Sequence, residues 1–84
     1  MEDEIQLTIE FSRRLTEPEM NEFWDSLVDK IEKMDSYAGG GHDSQSLEWT
    51  IDISKSKLER GEIIDEIGDF LLEIDDIILN FRIK

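Results

Sequence analysis

Cysteine is absent from this sequence of 84 residues, and histidine and proline each occur once. Without cysteine the chain can form neither a disulfide nor a thiolate metal site, so packing must hold the fold together, as expected in a reducing cytoplasm. A single histidine excludes a two-histidine metal site. No apolar run exceeds four residues, whereas a membrane span or a signal-peptide core needs a longer one. We therefore predict a cytoplasmic protein that does not span a membrane.

Positive charge is also scarce, because 9 Lys and Arg residues face 22 Asp and Glu residues and give a formal net charge of -13. Such a molecule repels nucleic acid and anionic membranes at long range and attracts basic proteins. The length predicts one domain over residues 1–84, which buries only ~60–65% of its unfolded surface. Since this leaves little core for a deep catalytic pocket, we predict a non-enzymatic protein with no cofactor and no metal.

Three segments alternate apolar and polar residues, a period of two that predicts strands with one buried face. The apolar positions of the first two are Ile5, Leu7, Ile9 and Phe11, and Leu47, Trp49, Ile51 and Ile53. The third strand is predicted over residues 77–84, with one face made of Ile77, Leu79, Phe81 and Ile83.

Two capping boxes predict two helices. Thr16 and Glu19 form the first, with Pro18 in the tolerant first turn, and that helix is predicted to end near Asp35. Ser56 and Glu59 repeat the pattern and predict the start of the second helix. Apolar residues recur at helical spacing in both. They are Met20, Phe23, Trp24, Leu27, Val28, Ile31 and Met34, and then Ile63, Ile64, Ile67, Phe70, Leu71 and Ile74.

The glycines Gly39, Gly40 and Gly41 predict a short, irregular edge strand with a close backbone approach or a bulge. They precede no helix and no Lys-Ser/Thr pair, so they are not a phosphate-binding P-loop. The element order is then strand, helix, short strand, strand, helix, strand. It predicts an α+β fold of the ferredoxin-like βαββαβ type, a two-layer sandwich with a four-stranded sheet and both helices on one face.

The sheet face away from the helices is predicted to be a solvated polar surface without an aromatic ring, and so unsuited to base stacking. Its predicted members are Gln6, Thr8, Glu10, Glu48, Thr50, Asp52, Ile78, Asn80 and Arg82. His42 is interpreted as a turn histidine with no catalytic role, because its neighbour Asp43 would point the other way in an extended segment and could not orient the ring.

Carboxylates recur four residues apart on the second helix, as in the pairs Glu62 with Glu66 and Asp65 with Asp69. They lack the spacing of a calcium loop. Two interpretations stay open, a solvated face and a functional one, in which the carboxylates are a docking strip for a basic protein or a mimic of nucleic-acid phosphate.

The basic residues are predicted to gather in what we call the basic pole. Two follow the first strand and three follow the later strand: Arg13, Arg14, Lys55, Lys57 and Arg60. If these two strands run parallel, both groups emerge at the same end of the sheet, beside two helix N-termini that favour anions. The basic pole would then suit RNA phosphate or an acidic protein, unless its charges only offset nearby carboxylates.

The chain resembles the YggL family of small bacterial proteins that bind the large (50S) ribosomal subunit. The resemblance rests on the alternating first strand, the helix opening at residues 15–25, the stretch Tyr37-Ala38-Gly39-Gly40-Gly41, and the strand Leu47-Glu48-Trp49. It implies the same fold, no catalytic residues, and Gly39 to Gly41 as a shared feature. In place of the family's basic N-terminal extension, this chain has Met1-Glu2-Asp3-Glu4.

Two functions are therefore expected, both non-enzymatic. In the first, the protein is a bacterial accessory factor of the large ribosomal subunit, bound through the basic pole or against a basic ribosomal protein. In the second, it is an acidic interaction or inhibitor module, phage-like in size and charge, whose second helix blocks a basic nucleic-acid-binding protein.

Overall fold

The computed structural model describes residues 3–84, so Met1 and Glu2 of the acidic start lie outside the described residues. The elements are β1 (Glu4–Phe11), α1 (Glu17–Glu32), β2 (Tyr37–His42), β3 (Ser46–Asp52), α2 (Arg60–Glu73), a 3₁₀ turn (Asp75–Ile77) and β4 (Ile78–Ile83). This order confirms the predicted ferredoxin-like α+β fold.

The sheet has the strand order β2-β3-β1-β4, and every neighbouring pair is antiparallel. Along the two central strands, Glu4 lies opposite Asp52 and Glu10 lies opposite Ser46. The end of β1 is therefore beside the beginning of β3. The premise that these two strands run parallel is wrong.

One apolar core joins the sheet to both helices. The alternating side chains of β1 and β3 on the helix side are buried, and so is one stripe of each helix, as the predicted periods require. These residues are Ile5, Leu7, Ile9, Phe11, Leu47, Trp49 and Ile51 from the strands, and Met20, Phe23, Leu27, Ile31, Ile63, Ile67 and Leu71 from the helices.

α1 begins with the predicted capping box. The main-chain N–H of Glu19 donates to Thr16 Oγ1 at 3.3 Å, and the main-chain N–H of Thr16 donates to Glu19 Oε1 at 3.0 Å. Pro18 lies in the first turn, where its missing N–H costs nothing. The last residue of α1 is Glu32, three positions before the predicted end.

α2 begins without the predicted capping box. Its N-cap is Glu59, which makes no side-chain cap, and the helix starts at Arg60. Ser56 Oγ instead accepts a hydrogen bond from the N–H of Leu58 at 3.1 Å. A serine hydroxyl that closes a local turn does not at the same time cap a helix. The prediction of a capping box at Ser56 is therefore wrong.

β4 contains an irregularity that changes its predicted faces. Glu10 pairs with Asn80 but Phe11 pairs with Ile78, so Leu79 is an extra residue. Leu79 is 63% exposed, while Ile78 packs against the core. Both had been predicted on the opposite face, because strict alternation does not anticipate a bulge. Ile77, predicted as a strand residue, belongs to the preceding 3₁₀ turn.

β2 is the predicted glycine-rich edge strand, and it pairs along its whole length with β3. Gly40 has φ 147°, and a Cβ added to it would lie 2.3 Å from the main-chain oxygen of Glu48 and 2.9 Å from Cα of Trp49. The predicted close backbone approach is confirmed at this glycine. Gly39 and Gly41 have open space at the same position.

Candidate protein-interaction site

The loops that follow β1 and β3 lie at opposite ends of the sheet. After β1, the N–H of Leu15 donates to the main-chain oxygen of Ser44 at 2.8 Å, which places this loop beside the β2–β3 turn. After β3, the N–H of Ile53 donates to the main-chain oxygen of Asp3, also at 2.8 Å, beside the start of β1. This arrangement follows from the antiparallel pairing of the central strands.

The five residues of the basic pole are consequently divided between those two ends. Arg13 and Arg14 lie at one end, and Lys55, Lys57 and Arg60 lie at the other. The prediction that one surface gathers all five is wrong. Only three residues separate β2 from β3, a length that allows a hairpin and reverses β3 relative to β1. That short connection was the sequence signal for the true orientation.

Two of the five cations are engaged within the domain. Arg13 holds Glu19 with two parallel hydrogen bonds of 2.9 and 2.6 Å. The bonds from Arg13, followed by the N–H of Thr16, lower the pKa of Glu19 to about 2, and Glu19 in turn raises the pKa of Arg13. Arg60 donates to main-chain oxygens at both Glu4 and Lys84. These two guanidinium groups are therefore less available to an external anion.

Carboxylates form an exposed strip along α2, which we call the acidic strip. Its members are Glu62, Asp65, Glu66, Asp69 and Glu73. One cation reaches it from α1, where Lys30 Nζ lies 2.8 Å from Glu66 Oε2. The pKa of Lys30 is raised, first by Glu66 and then by Glu73 and Asp69. Among residues 3–84, no group of three or more His, Asp or Glu side chains could hold a metal ion.

A cavity of about 370 Å³ lies between the two helices, and we call it the interhelical groove. Its lining residues are Glu19, Glu22, Phe23, Ser26, Phe70, Ile74, Asp76 and Ile77. The α1 members are spaced three or four residues apart and so share one helix face. On α2, Phe70 and Ile74 are four apart for the same reason.

The groove has an aromatic floor and a fixed end. The Phe23 ring is 5.3 Å from Phe11, edge to face, and 6.5 Å from Phe70. The 3₁₀ turn that closes the groove is tied to the loop after β1, because the N–H of Ser12 donates to the main-chain oxygen of Ile77 at 2.9 Å. An apolar group entering the groove would therefore meet preformed aromatic and aliphatic walls.

The aromatic cluster beside β2 is separate from the groove. The ring of His42 is 4.4 Å from Trp24, which is 5.0 Å from Trp49. Asp43 accepts from the main-chain N–H groups of Gln45 at 2.7 Å and Ser46 at 2.9 Å. These bonds lower the pKa of Asp43. The carboxylate thus fixes the β2–β3 turn. His42 itself is the last residue of β2 and pairs with Leu47, so the interpretation of His42 as a turn residue is wrong.

The outer sheet face carries one aromatic ring that the sequence prediction missed. Tyr37 pairs directly with Asp52 across β2 and β3, so the two side chains share that face. Tyr37 is 56% exposed. The prediction of a face without aromatic rings is wrong at this position. The surface around it is still acidic, because Asp52 lies beside it and Glu4 pairs with Asp52 across β1 and β3.

No family model and no curated protein matches the chain, so the resemblance to the YggL family stays a prediction. In residues 3–84, neither helix is long and apolar enough to cross a membrane.

Sequence reasoning did not find the interhelical groove. The sequence did contain one usable signal. The spacing of three or four residues among Glu19, Glu22, Phe23 and Ser26 places carboxylates beside an aromatic ring on one face of α1. The partner residues on α2 and in the 3₁₀ turn could not be assigned to the same place, because no turn was predicted there and its last residue, Ile77, was predicted as strand.

Proposed function

We propose that this protein is a non-enzymatic binding module that docks on a basic protein through its helical face. The observation that carries the proposal is which charged side chains remain available to a partner. Two of the five predicted pole cations are held in internal contacts, whereas the acidic strip of α2 projects its carboxylates outward with one cation, Lys30, against them. The helical layer therefore presents negative charge, with an apolar cavity beside it.

Complementary charge determines the rate of association and the specificity of a complex more than it determines the affinity. A net charge of -13 steers a positively charged partner towards the module and repels nucleic acid and anionic membranes. Proteins that bind nucleic acid have positively charged surfaces, which would attract this module. A module bound to such a surface would compete with DNA or RNA for it. This supports the inhibitor form of the proposal.

A displacement assay tests the proposal. A labelled DNA duplex is bound to a basic DNA-binding protein at low salt, and we expect added module to release the DNA. The direct complex of the two proteins, measured without DNA, should weaken as salt rises, because surface charges are screened. Failure to displace the DNA at low salt, with no complex between the two proteins, would contradict the proposal.

Matched charge variants locate the binding face. Asp65→Asn with Asp69→Asn removes two charges from the acidic strip, and Glu10→Gln with Glu48→Gln removes two from the outer sheet face. We expect the first pair to weaken displacement more than the second, although both change the net charge equally. Equal effects would indicate attraction without a defined face.

The ribosomal form of the proposal makes a different prediction. If the basic partner is a protein of the large ribosomal subunit, the module should sediment with purified subunits at low salt and leave them as salt rises. Recovery only in the free fraction would count against that form, while the displacement assay would still test a basic partner in general.

A further inference from the structure

The interhelical groove combines an apolar interior with unpaired negative charge. Phe23, Phe70 and Ile74 supply its apolar surface, and Glu22 and Asp76 stand at its rim. In the described part of the chain, neither of these two rim carboxylates has a side-chain hydrogen bond or an ion pair. Asp76 is near enough to Arg13 to help raise the pKa of that residue, but it makes no direct contact with it. The third rim carboxylate, Glu19, is already held by Arg13.

We propose that this groove receives one apolar side chain of the basic partner, flanked in the partner's sequence by lysine or arginine residues that reach Glu22 and Asp76. The inference rests on the proposed function and names its contact site. It assigns the partner a recognisable chemistry, a leucine-like or phenylalanine-like anchor between cations.

Size and charge together select this occupant. A cavity of about 370 Å³ lies at the small end of the range for ligand pockets, ~300–1,000 Å³, and suits one side chain or a short segment. An anionic ligand would meet the free rim carboxylates, and a second copy of this chain would bring another charge of -13. A cationic segment has the opposite sign from the rim and gains from both parts of the site.

Two probe peptides separate the anchor from simple charge attraction. One carries lysines and arginines on both sides of a central Leu-Phe pair, and the other has Gly-Gly at the centre. Burial of a single large apolar side chain is worth about tenfold in affinity or more. We expect the Leu-Phe peptide to bind the unmodified protein at least that much more tightly, as measured by fluorescence anisotropy at low salt.

A groove-filling variant provides the matched test. Ser26→Phe places a ring in the groove without changing the charge, and Ser54→Phe places the same ring on an exposed loop at the other end of the sheet. We expect Ser26→Phe to remove the preference for Leu-Phe while Gly-Gly binding is unchanged, and Ser54→Phe to keep the preference. Unchanged Gly-Gly binding and circular dichroism show that Ser26→Phe is folded.

The rim has its own pair of variants. Glu22→Gln with Asp76→Asn removes two charges at the groove, and Glu62→Gln with Asp65→Asn removes two from the acidic strip. We expect the rim pair to weaken the Leu-Phe peptide by more than the strip pair does. Equal weakening would overturn the role of the rim.

Chemical-shift mapping with the unmodified protein keeps the test independent of any variant. The Leu-Phe peptide should shift the amide signals of Ser26, Phe70 and Ile74 more strongly than the Gly-Gly peptide does at equal saturation. Equal affinity for the two peptides would overturn the groove inference and leave the proposed function standing. Binding of neither peptide at low salt would overturn both.

Discussion

Replacement of Gly40 by alanine should destabilise the domain far more than the same change at its two glycine neighbours. Gly40 has φ 147°, a conformation that L-residues rarely adopt, and its missing Cβ would sit 2.3 Å from a main-chain oxygen of Glu48. A backbone oxygen cannot move aside as a flexible side chain can. The edge strand β2 would have to shift away from β3.

The magnitude follows from two costs. A side chain in such a rare backbone conformation costs of order 1–3 kcal/mol, and the overpacking against β3 adds about 1–3 kcal/mol. We therefore expect Gly40→Ala to lose roughly 2–6 kcal/mol, against a total stability of roughly 4–12 kcal/mol for a domain of this length. Gly39→Ala and Gly41→Ala should be neutral or should gain up to about 1 kcal/mol, because alanine is favoured over glycine in a strand.

Urea unfolding followed by tryptophan fluorescence measures this difference directly. Trp49 reports on the site itself, since its Cδ1 is 3.1 Å from the position of the added Cβ. The three alanine variants are matched in sequence, strand and side chain. If Gly40→Ala and Gly39→Ala have the same free energy of unfolding, the pairing of β2 on β3 described above is incorrect.

Two further predictions concern the start of α1. Thr16→Ala removes the acceptor of the capping box and should lower the free energy of unfolding by about 1 kcal/mol, while Thr16→Ser should restore it. The pKa of Glu19 is lowered from 4.5 to about 2, so its carboxylate stabilises the fold above pH 4.5 and this contribution is lost as pH falls from 4.5 towards 2. NMR titration should give a midpoint near 2, and Arg13→Ala should raise it towards the ordinary value. An unchanged midpoint would contradict the ion pair.

Local signals in the sequence were sufficient for β1, β3 and α1. Alternation in β1 and β3, and the box formed by Thr16 and Glu19, depend on residues a few positions apart, and tertiary contacts did not override them. The ferredoxin-like fold followed from the order of the elements. The prediction of a capping box at Ser56 failed because the Ser56 hydroxyl accepts a hydrogen bond from the N–H of Leu58 instead.

The candidate site was less predictable because it depends on direction and register. Strand periodicity indicates which face is buried but not the direction of a strand. The prediction of a basic pole was therefore wrong, although β1 and β3 were predicted correctly. The bulge at Leu79 moves residues between faces for a similar reason. The interhelical groove depends on where α2 ends and on how the 3₁₀ turn places Ile77, and neither feature has a periodic signal.

The charge of the domain connects its stability to its proposed partner. Solubility of a small domain needs a net charge of only about 2–8 in magnitude, and -13 exceeds this. The excess costs stability, because like charges on a compact body repel each other. Salt relieves that repulsion in the free protein, yet the same screening weakens attraction to a basic partner. A basic protein bound to the acidic strip, as we propose, would relieve the repulsion without salt, so we expect such a partner to stabilise the fold most at low salt, where the free domain is weakest.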